Sequence, residues 1–182
     1  MLSAAARQTL PAGWEEGIGM KIALPLLASL IVGFAPCAAA QVTCAEIKTV
    51  IAAAEDDFSA FEGQKISEDF YKSKYALPRA ETCTLEYEFD SIFSCLFVFD
   101  SLASAQTAMN AHAASIVACL PGWAAEQQKP AAQATDGLRA LGGTYYSGKG
   151  DQEDLEWAVF MEEHTFDGGH DWHVWVGLAY LL

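Results

Sequence analysis

The stretch TCTLEYEFDSIFSCLFVF, residues 82–99, decides the fold of this chain. Large apolar residues or cysteines occupy every second position on both sides of Asp90 and Ser91, which is the pattern of two strands joined by a turn. Cys83 and Cys95 fall on the same alternating positions as the aromatic residues. The stretch therefore predicts a β-hairpin whose cysteines face the protein core.

A helix is predicted on each side of this hairpin. The segment TCAE at 43–46 has the form of a capping box, and apolar residues follow it at helical spacing, which predicts a helix from 44 to about 60. A second apolar stripe begins after Asp100 or Ser101 and ends before Pro121. It predicts a second helix that closes near residue 120.

The remaining strands complete one α+β fold. Weak alternation predicts a strand at 71–77, and clearer patterns predict strands at 138–147, 155–162 and 172–182. Residues 121–136 are rich in Ala, Gln and Pro and are predicted to form a loop. We expect a mainly antiparallel sheet of about six strands, with two helices packed on one face, in the order α-β-β-β-α-β-β-β.

The N-terminal region has the pattern of a secretory signal peptide. An apolar run at 22–35 follows Lys21, and small residues occupy 38–40. The run is shorter than the roughly 20 residues that cross a membrane. We expect cleavage after Ala40, with residues 1–19 an upstream extension, which leaves a single disulfide-bonded α+β domain at 41–182. The predicted location is periplasmic or secreted, without a stable membrane span after cleavage.

Four cysteines follow the predicted cleavage site, and an even number in an exported chain predicts two disulfides. If successive helices and strands alternate in direction, Cys44 and Cys83 lie at one end of the domain, and Cys95 and Cys119 lie at the other. The predicted bridges are therefore Cys44–Cys83 and Cys95–Cys119. Catalysis by a free thiol is not expected, because all four sulfurs are paired.

The chain is strongly acidic, with a formal net charge of −14. Residues 1–40 contain two acidic and two basic side chains, so the remainder carries the same net charge. Binding to nucleic acid is not expected, because contacts to phosphate need clustered Lys and Arg. Such acidity is explained by solubility in a crowded compartment, and the alternative explanation is a protein partner with a basic surface.

Aromatic residues indicate a candidate binding surface on the sheet. In the last strand Trp172 and Val174 point to one side and Trp175 points to the other, so the same helices cannot cover both. We expect Trp175 to be substantially exposed on an uncovered face, which would mark a surface for a partner or ligand. The candidate binding residues are Trp172, Trp175, Tyr145 and Tyr146.

The segment 162–173 contains the densest set of possible metal ligands. Its candidate ligands are His164, His170, His173 and Asp171, and imidazole with carboxylate suits zinc, copper or nickel. No pair of these histidines has the i, i+2 or i, i+4 spacing that preorganises two ligands within one element. Tight zinc binding and a bound cofactor are therefore not expected. His112 stands alone on the second helix and is predicted to be a structural histidine.

No motif for nucleophilic catalysis occurs in the sequence, so a non-enzymatic function is favoured. The general profile is that of small exported immunity and inhibitor proteins, an analogy of class that carries no family assignment. The predicted function is an envelope binding module for a protein or small-ligand partner. Two alternatives stay open: an envelope hydrolase whose dispersed His, Asp and Glu residues converge in the fold, and a metal-binding module at His164, His170 and His173.

Overall fold

The computed structural model describes residues 41–131, 135 and 137–181. The predicted signal peptide and upstream extension, at residues 1–40, lie outside these residues. Within them, no helix is both long enough and apolar enough to span a bilayer.

The described part of the chain contains two α-helices and eight strands. The helices are α1 (Cys44–Ala54) and α2 (Leu102–Cys119), and single 3-10 turns occur at Ser59–Phe61 and Gly150–Gln152. The strands are β1 (Glu62–Lys65), β2 (Phe70–Ser73), β3 (Thr82–Glu86), β4 (Ser91–Phe99), β5 (Ala124–Gln128), β6 (Leu138–Ser147), β7 (Leu155–Phe166) and β8 (Gly169–Tyr180).

All eight strands form one antiparallel sheet, in the spatial order β1-β2-β3-β4-β8-β7-β6-β5. Each half of the chain supplies one helix followed by four consecutive strands. The two halves meet where β4 pairs with β8, so the last strand of each half lies at the centre of the sheet.

The predicted α+β class with two helices and an antiparallel sheet is confirmed, but the number and order of the strands were wrong. The order is α-β-β-β-β-α-β-β-β-β, with eight strands in place of about six. The two unpredicted strands, β1 and β5, are the two edges of the sheet. Every residue in both is exposed, so neither has the apolar alternation by which strands are recognised in a sequence.

The first helix is shorter than predicted. The capping box is present, since the Thr43 side chain accepts from the Glu46 backbone N–H and the Glu46 carboxylate accepts from the Thr43 backbone N–H. The helix ends at Ala54, and Asp57 and Phe58 then adopt positive φ angles. Such angles are outside the helical range, so the chain turns there although the apolar spacing continues.

The hydrophobic core lies between the helices and one side of the sheet, here called the helix face. Ile47 and Val50 of α1 and Ile116 of α2 are fully buried in one cluster with Phe93 of β4 and Val176 of β8. Strand residues alternate in direction, so neighbours such as Ser94 and Gly177 belong to the opposite side of the sheet, called the open face.

The disulfides are Cys44–Cys119 and Cys83–Cys95, with Cα–Cα distances of 5.4 Å and 4.1 Å. The predicted pairs, Cys44–Cys83 and Cys95–Cys119, were therefore wrong, although two bridges are present. The first bridge joins the start of α1 to the end of α2. The second joins β3 to its neighbour β4 within the sheet.

Strand register and strand number explain why the observed bridges differ from the predicted ones. A tight turn centred on Asp90 would make Cys83 and Cys95 diagonal neighbours. In the structure Glu86 pairs with Ile92, and this register sets the two cysteines directly opposite each other. The unpredicted strand β1 matters as well, because one additional strand reverses the direction of α2 when successive elements alternate in direction. The end of α2 therefore lies beside the start of α1.

Candidate functional site

The open face contains a cavity of about 500 Å³ that crosses the middle of the sheet. Residues from β2, β3, β4, β6, β7 and β8 line it, and no helix residue does. The volume is in the range of small-molecule and peptide-anchor pockets. We call this cavity the trough.

A row of small residues forms the floor of the trough. Thr84, Ser94, Gly177 and Ala158 are successive cross-strand partners on β3, β4, β8 and β7, so they lie side by side on one face. Gly177 is central to the row. A Cβ added there would lie 2.6 Å from the backbone oxygen of Phe93, so this position excludes a side chain.

Aromatic side chains form one wall of the trough. Phe160 of β7 and Trp175 of β8 are cross-strand partners, and their rings are stacked with centroids 6.2 Å apart. Tyr145 of β6 closes the row of small residues beyond Ala158, and Phe70 of β2 lines the other end. The trough thus offers flat apolar surfaces on several sides of a narrow floor.

The charged side chains that line the trough are all acidic. They are Glu86, Asp90, Glu156 and Glu162. Glu156 accepts a hydrogen bond from the Ser147 hydroxyl at 3.3 Å, and Glu162 accepts one from the Trp175 indole N–H at 2.9 Å. Both donors are neutral, so these bonds orient the carboxylates without compensating their charge. Burial, together with the charge of Glu156, raises the pKa of Tyr145, which keeps its hydroxyl protonated.

The four predicted aromatic residues are divided between the two faces of the sheet. Trp175 and Tyr145 lie on the open face and line the trough. Tyr146 is buried on the helix face, and Trp172 packs against the edge of the core. Trp175 lies on the predicted side but is half-buried, not substantially exposed, because Phe160 stacks on it.

Three of the four predicted metal ligands meet near the turn that joins β7 to β8. Asp171 Oδ1 lies 3.2 Å from His164 Nδ1 and 3.1 Å from His173 Nε2, and the two imidazole rings are 4.9 Å apart. We call these three residues the imidazole–carboxylate cluster. The fourth, His170, is exposed and packs edge-on against Trp172 on the other side of the strand.

The three residues of the cluster come together because of the register between β7 and β8. Their spacing along the chain does not reveal this register. His164 is the direct cross-strand partner of Asp171, and His173 follows Asp171 two positions later on the same face of β8. The hydrogen bonds and ion pairs given for the cluster in the described residues join imidazoles to a carboxylate and include no Ser, Thr or Cys side chain.

His112 is a buried structural histidine, in agreement with its predicted role. Its ring is 1 % exposed, and Nδ1 accepts the backbone N–H of Val42 at 3.1 Å. Burial lowers the pKa of His112 to about 4, while the nearby Glu46 acts in the opposite direction. The neutral imidazole therefore holds the backbone of Val42 against α2.

A second cavity, of about 490 Å³, lies on the helix side between α2 and strands β5 and β6. Its polar side chains are neutral: four amides, from Gln106, Asn110, Gln127 and Gln128, and two hydroxyls, from Thr144 and Tyr146. The trough differs from it in combining aromatic surface with negative charge, so the trough is the better candidate site.

These features define a two-layer α+β domain whose helices cover one face of the sheet and whose other face carries an acidic, aromatic-walled trough. Comparisons of the chain with protein-family models, with curated proteins and with solved structures give no match.

Proposed function

We propose that this protein is an exported binding module that holds a basic segment of a partner protein in the trough of its open face. The observation that carries the proposal is the composition of the trough: a floor of small residues, aromatic walls and four carboxylates. Export of the chain rests on the sequence pattern at 22–40, and two disulfides are compatible with an oxidising compartment.

The shape of the trough favours an extended segment over a bulky ligand. The floor is one residue wide at Ser94, Gly177 and Ala158, and it runs across the strands. Apolar side chains of a bound segment would pack against Trp175 and Phe160. An aliphatic stem of Lys or Arg can cover apolar surface while its charged end reaches a carboxylate at the rim.

The charge of the trough favours a cationic partner. The lining contains carboxylates and aromatic rings but no Lys or Arg. Aromatic faces attract cations, and carboxylates accept bidentate hydrogen bonds from Arg. An acidic protein also attracts basic partners over distances of about a Debye length, which raises association rates.

The test is binding of a fluorescein-labelled peptide of alternating lysine and leucine to the purified chain. We expect saturable 1:1 binding that weakens as salt is added, and no binding of a counterpart with glutamate in place of lysine. Changing Glu86 and Glu156 to Lys should weaken binding by more than about tenfold, which is about 1.4 kcal/mol. The matched control changes Glu55 and Asp56, exposed residues beyond the end of α1, to Lys.

The control makes the same change in net charge on another part of the surface. It therefore distinguishes binding in the trough from general electrostatic attraction to the acidic protein. Equal weakening by both pairs of substitutions would contradict the proposal, as would equal affinity for the acidic peptide. Circular dichroism of all variants checks that the sheet is retained.

A further inference from the structure

The imidazole–carboxylate cluster contains three side chains whose donor atoms face one another across two strands. The separations of 3.2 Å and 3.1 Å join Asp171 Oδ1 to His164 Nδ1 and to His173 Nε2. All three ligand atoms lie within 4.8 Å of one another. No other group of three or more His, Cys, Asp or Glu side chains in the described ranges has this convergence.

The two separations between Asp171 Oδ1 and the imidazole nitrogens are close to those of ligands around a small divalent ion. Zinc binds imidazole nitrogen and carboxylate oxygen at about 2.0–2.2 Å, and ligands at such distances in a tetrahedron are about 3.3–3.6 Å apart. Two nitrogens and one carboxylate oxygen are a donor set that zinc, copper and nickel accept and that calcium and magnesium do not favour.

We propose that His164 Nδ1, Asp171 Oδ1 and His173 Nε2 form a binding site for a divalent transition-metal ion, for which zinc is the probe. The side chains are 35 %, 26 % and 13 % exposed, respectively, so solvent reaches the site and can supply the remaining ligands. Three protein ligands with an open position are typical of accessible zinc sites, whereas structural sites are closed by four.

The strands fix the positions of these ligands. His164 and Asp171 are a cross-strand pair three residues from the β7–β8 turn, and Glu162 lies directly opposite His173 on the same face. Glu162 accepts the Trp175 N–H, which adds an oriented negative charge beside the site. Spacing within one element does not preorganise these ligands, but the pairing of β7 with β8 does so across two strands.

This site is distinct from the trough in its ligand chemistry, although both occupy the open face. The peptide proposed for the trough is recognised by Glu86 and Glu156, and neither belongs to the cluster. Failure of peptide binding would therefore leave the metal site intact, and failure of metal binding would leave the peptide site intact.

The experiment is calorimetric titration of the full-length chain, prepared without a histidine tag, with Zn²⁺ near neutral pH. We expect one ion per chain. The substitutions His164→Ala, Asp171→Asn and His173→Gln should each weaken binding by more than about tenfold, since even indirect supports of a metal ligand contribute 10–100-fold. His170→Ala is the matched control and should leave the affinity unchanged, because His170 lies against Trp172 outside the cluster.

A second readout identifies the ligand atoms. With Cu²⁺ as the probe, the electron paramagnetic resonance spectrum should show coupling to two nitrogens in the unmodified chain, and to one after either His164→Ala or His173→Gln. Absence of saturable 1:1 binding would overturn the proposal and leave the cluster as a carboxylate shared by two imidazole N–H donors. The proposal would also be overturned if His170→Ala lost zinc binding while the substitutions at His164, Asp171 and His173 retained it.

Discussion

Replacing Cys44 and Cys119 with serine is expected to lower the free energy of unfolding by about 4 kcal/mol. The bridge closes a loop with a sequence separation of 75 residues, and in the chain-entropy model a loop of that length restricts the unfolded chain by about this amount. It also joins the first residue of α1 to the last of α2, so its loss frees both helices at the same end. Urea denaturation followed by circular dichroism measures the change.

The single variants provide the control for this prediction. Cys44→Ser and Cys119→Ser each remove the same bond, so each should be about as unstable as the double variant. A loss below about 1 kcal/mol in the double variant would contradict the account, as would a non-reducing peptide map that links Cys44 to Cys83.

The second large effect is a dependence of stability on pH that arises from His112. Its pKa is lowered to about 4 in the folded protein, from an ordinary value of 6.5. Between these values the unfolded chain takes up a proton that the folded chain does not. The contribution of His112 is therefore fully present above about pH 6.5 and decreases as the pH falls towards 4. A shift of this size corresponds to about 3 kcal/mol.

The structural reason is the burial of the His112 ring, and the hydrogen bond that Nδ1 accepts from Val42 also favours the neutral imidazole. A protonated imidazole has no acceptor nitrogen, so this bond is lost, and the charge is placed in a buried site. His112→Asn retains an acceptor oxygen but does not titrate. We expect it to remove most of the decrease in unfolding free energy between pH 7 and pH 4, as measured by urea denaturation at each pH. His170→Ala, at an exposed histidine, should not change that decrease, and an unchanged pH dependence in His112→Asn would contradict the assignment.

The central part of the sheet was predictable from the sequence because its strands bury one face. Phe93, Cys95 and Phe97 alternate with half-exposed residues, and their side chains are buried as that alternation indicates. The edge strands β1 and β5 bury nothing, so they have no periodic signal. Their positions are set by backbone hydrogen bonds to β2 and β6.

The candidate site was less predictable because it depends on which residues become neighbours across strands. The sequence indicated an uncovered face from the directions of Trp172 and Trp175. It did not predict that Ser94, Gly177 and Ala158 align in one row, because no pattern within a single strand distinguishes any of the three. The same limit applies to His164 and Asp171, whose contact requires the register of β7 with β8.

Backbone amide chemical shifts of the ¹⁵N-labelled chain, recorded during titration with the lysine–leucine peptide, test most directly whether the open face is the binding surface. We expect the largest saturable changes at Ser94, Ala158 and Gly177 and at the indole N–H of Trp175, with α1 and α2 little affected. Changes confined to the helices would contradict the proposed site, and so would changes spread evenly over the acidic residues of the surface.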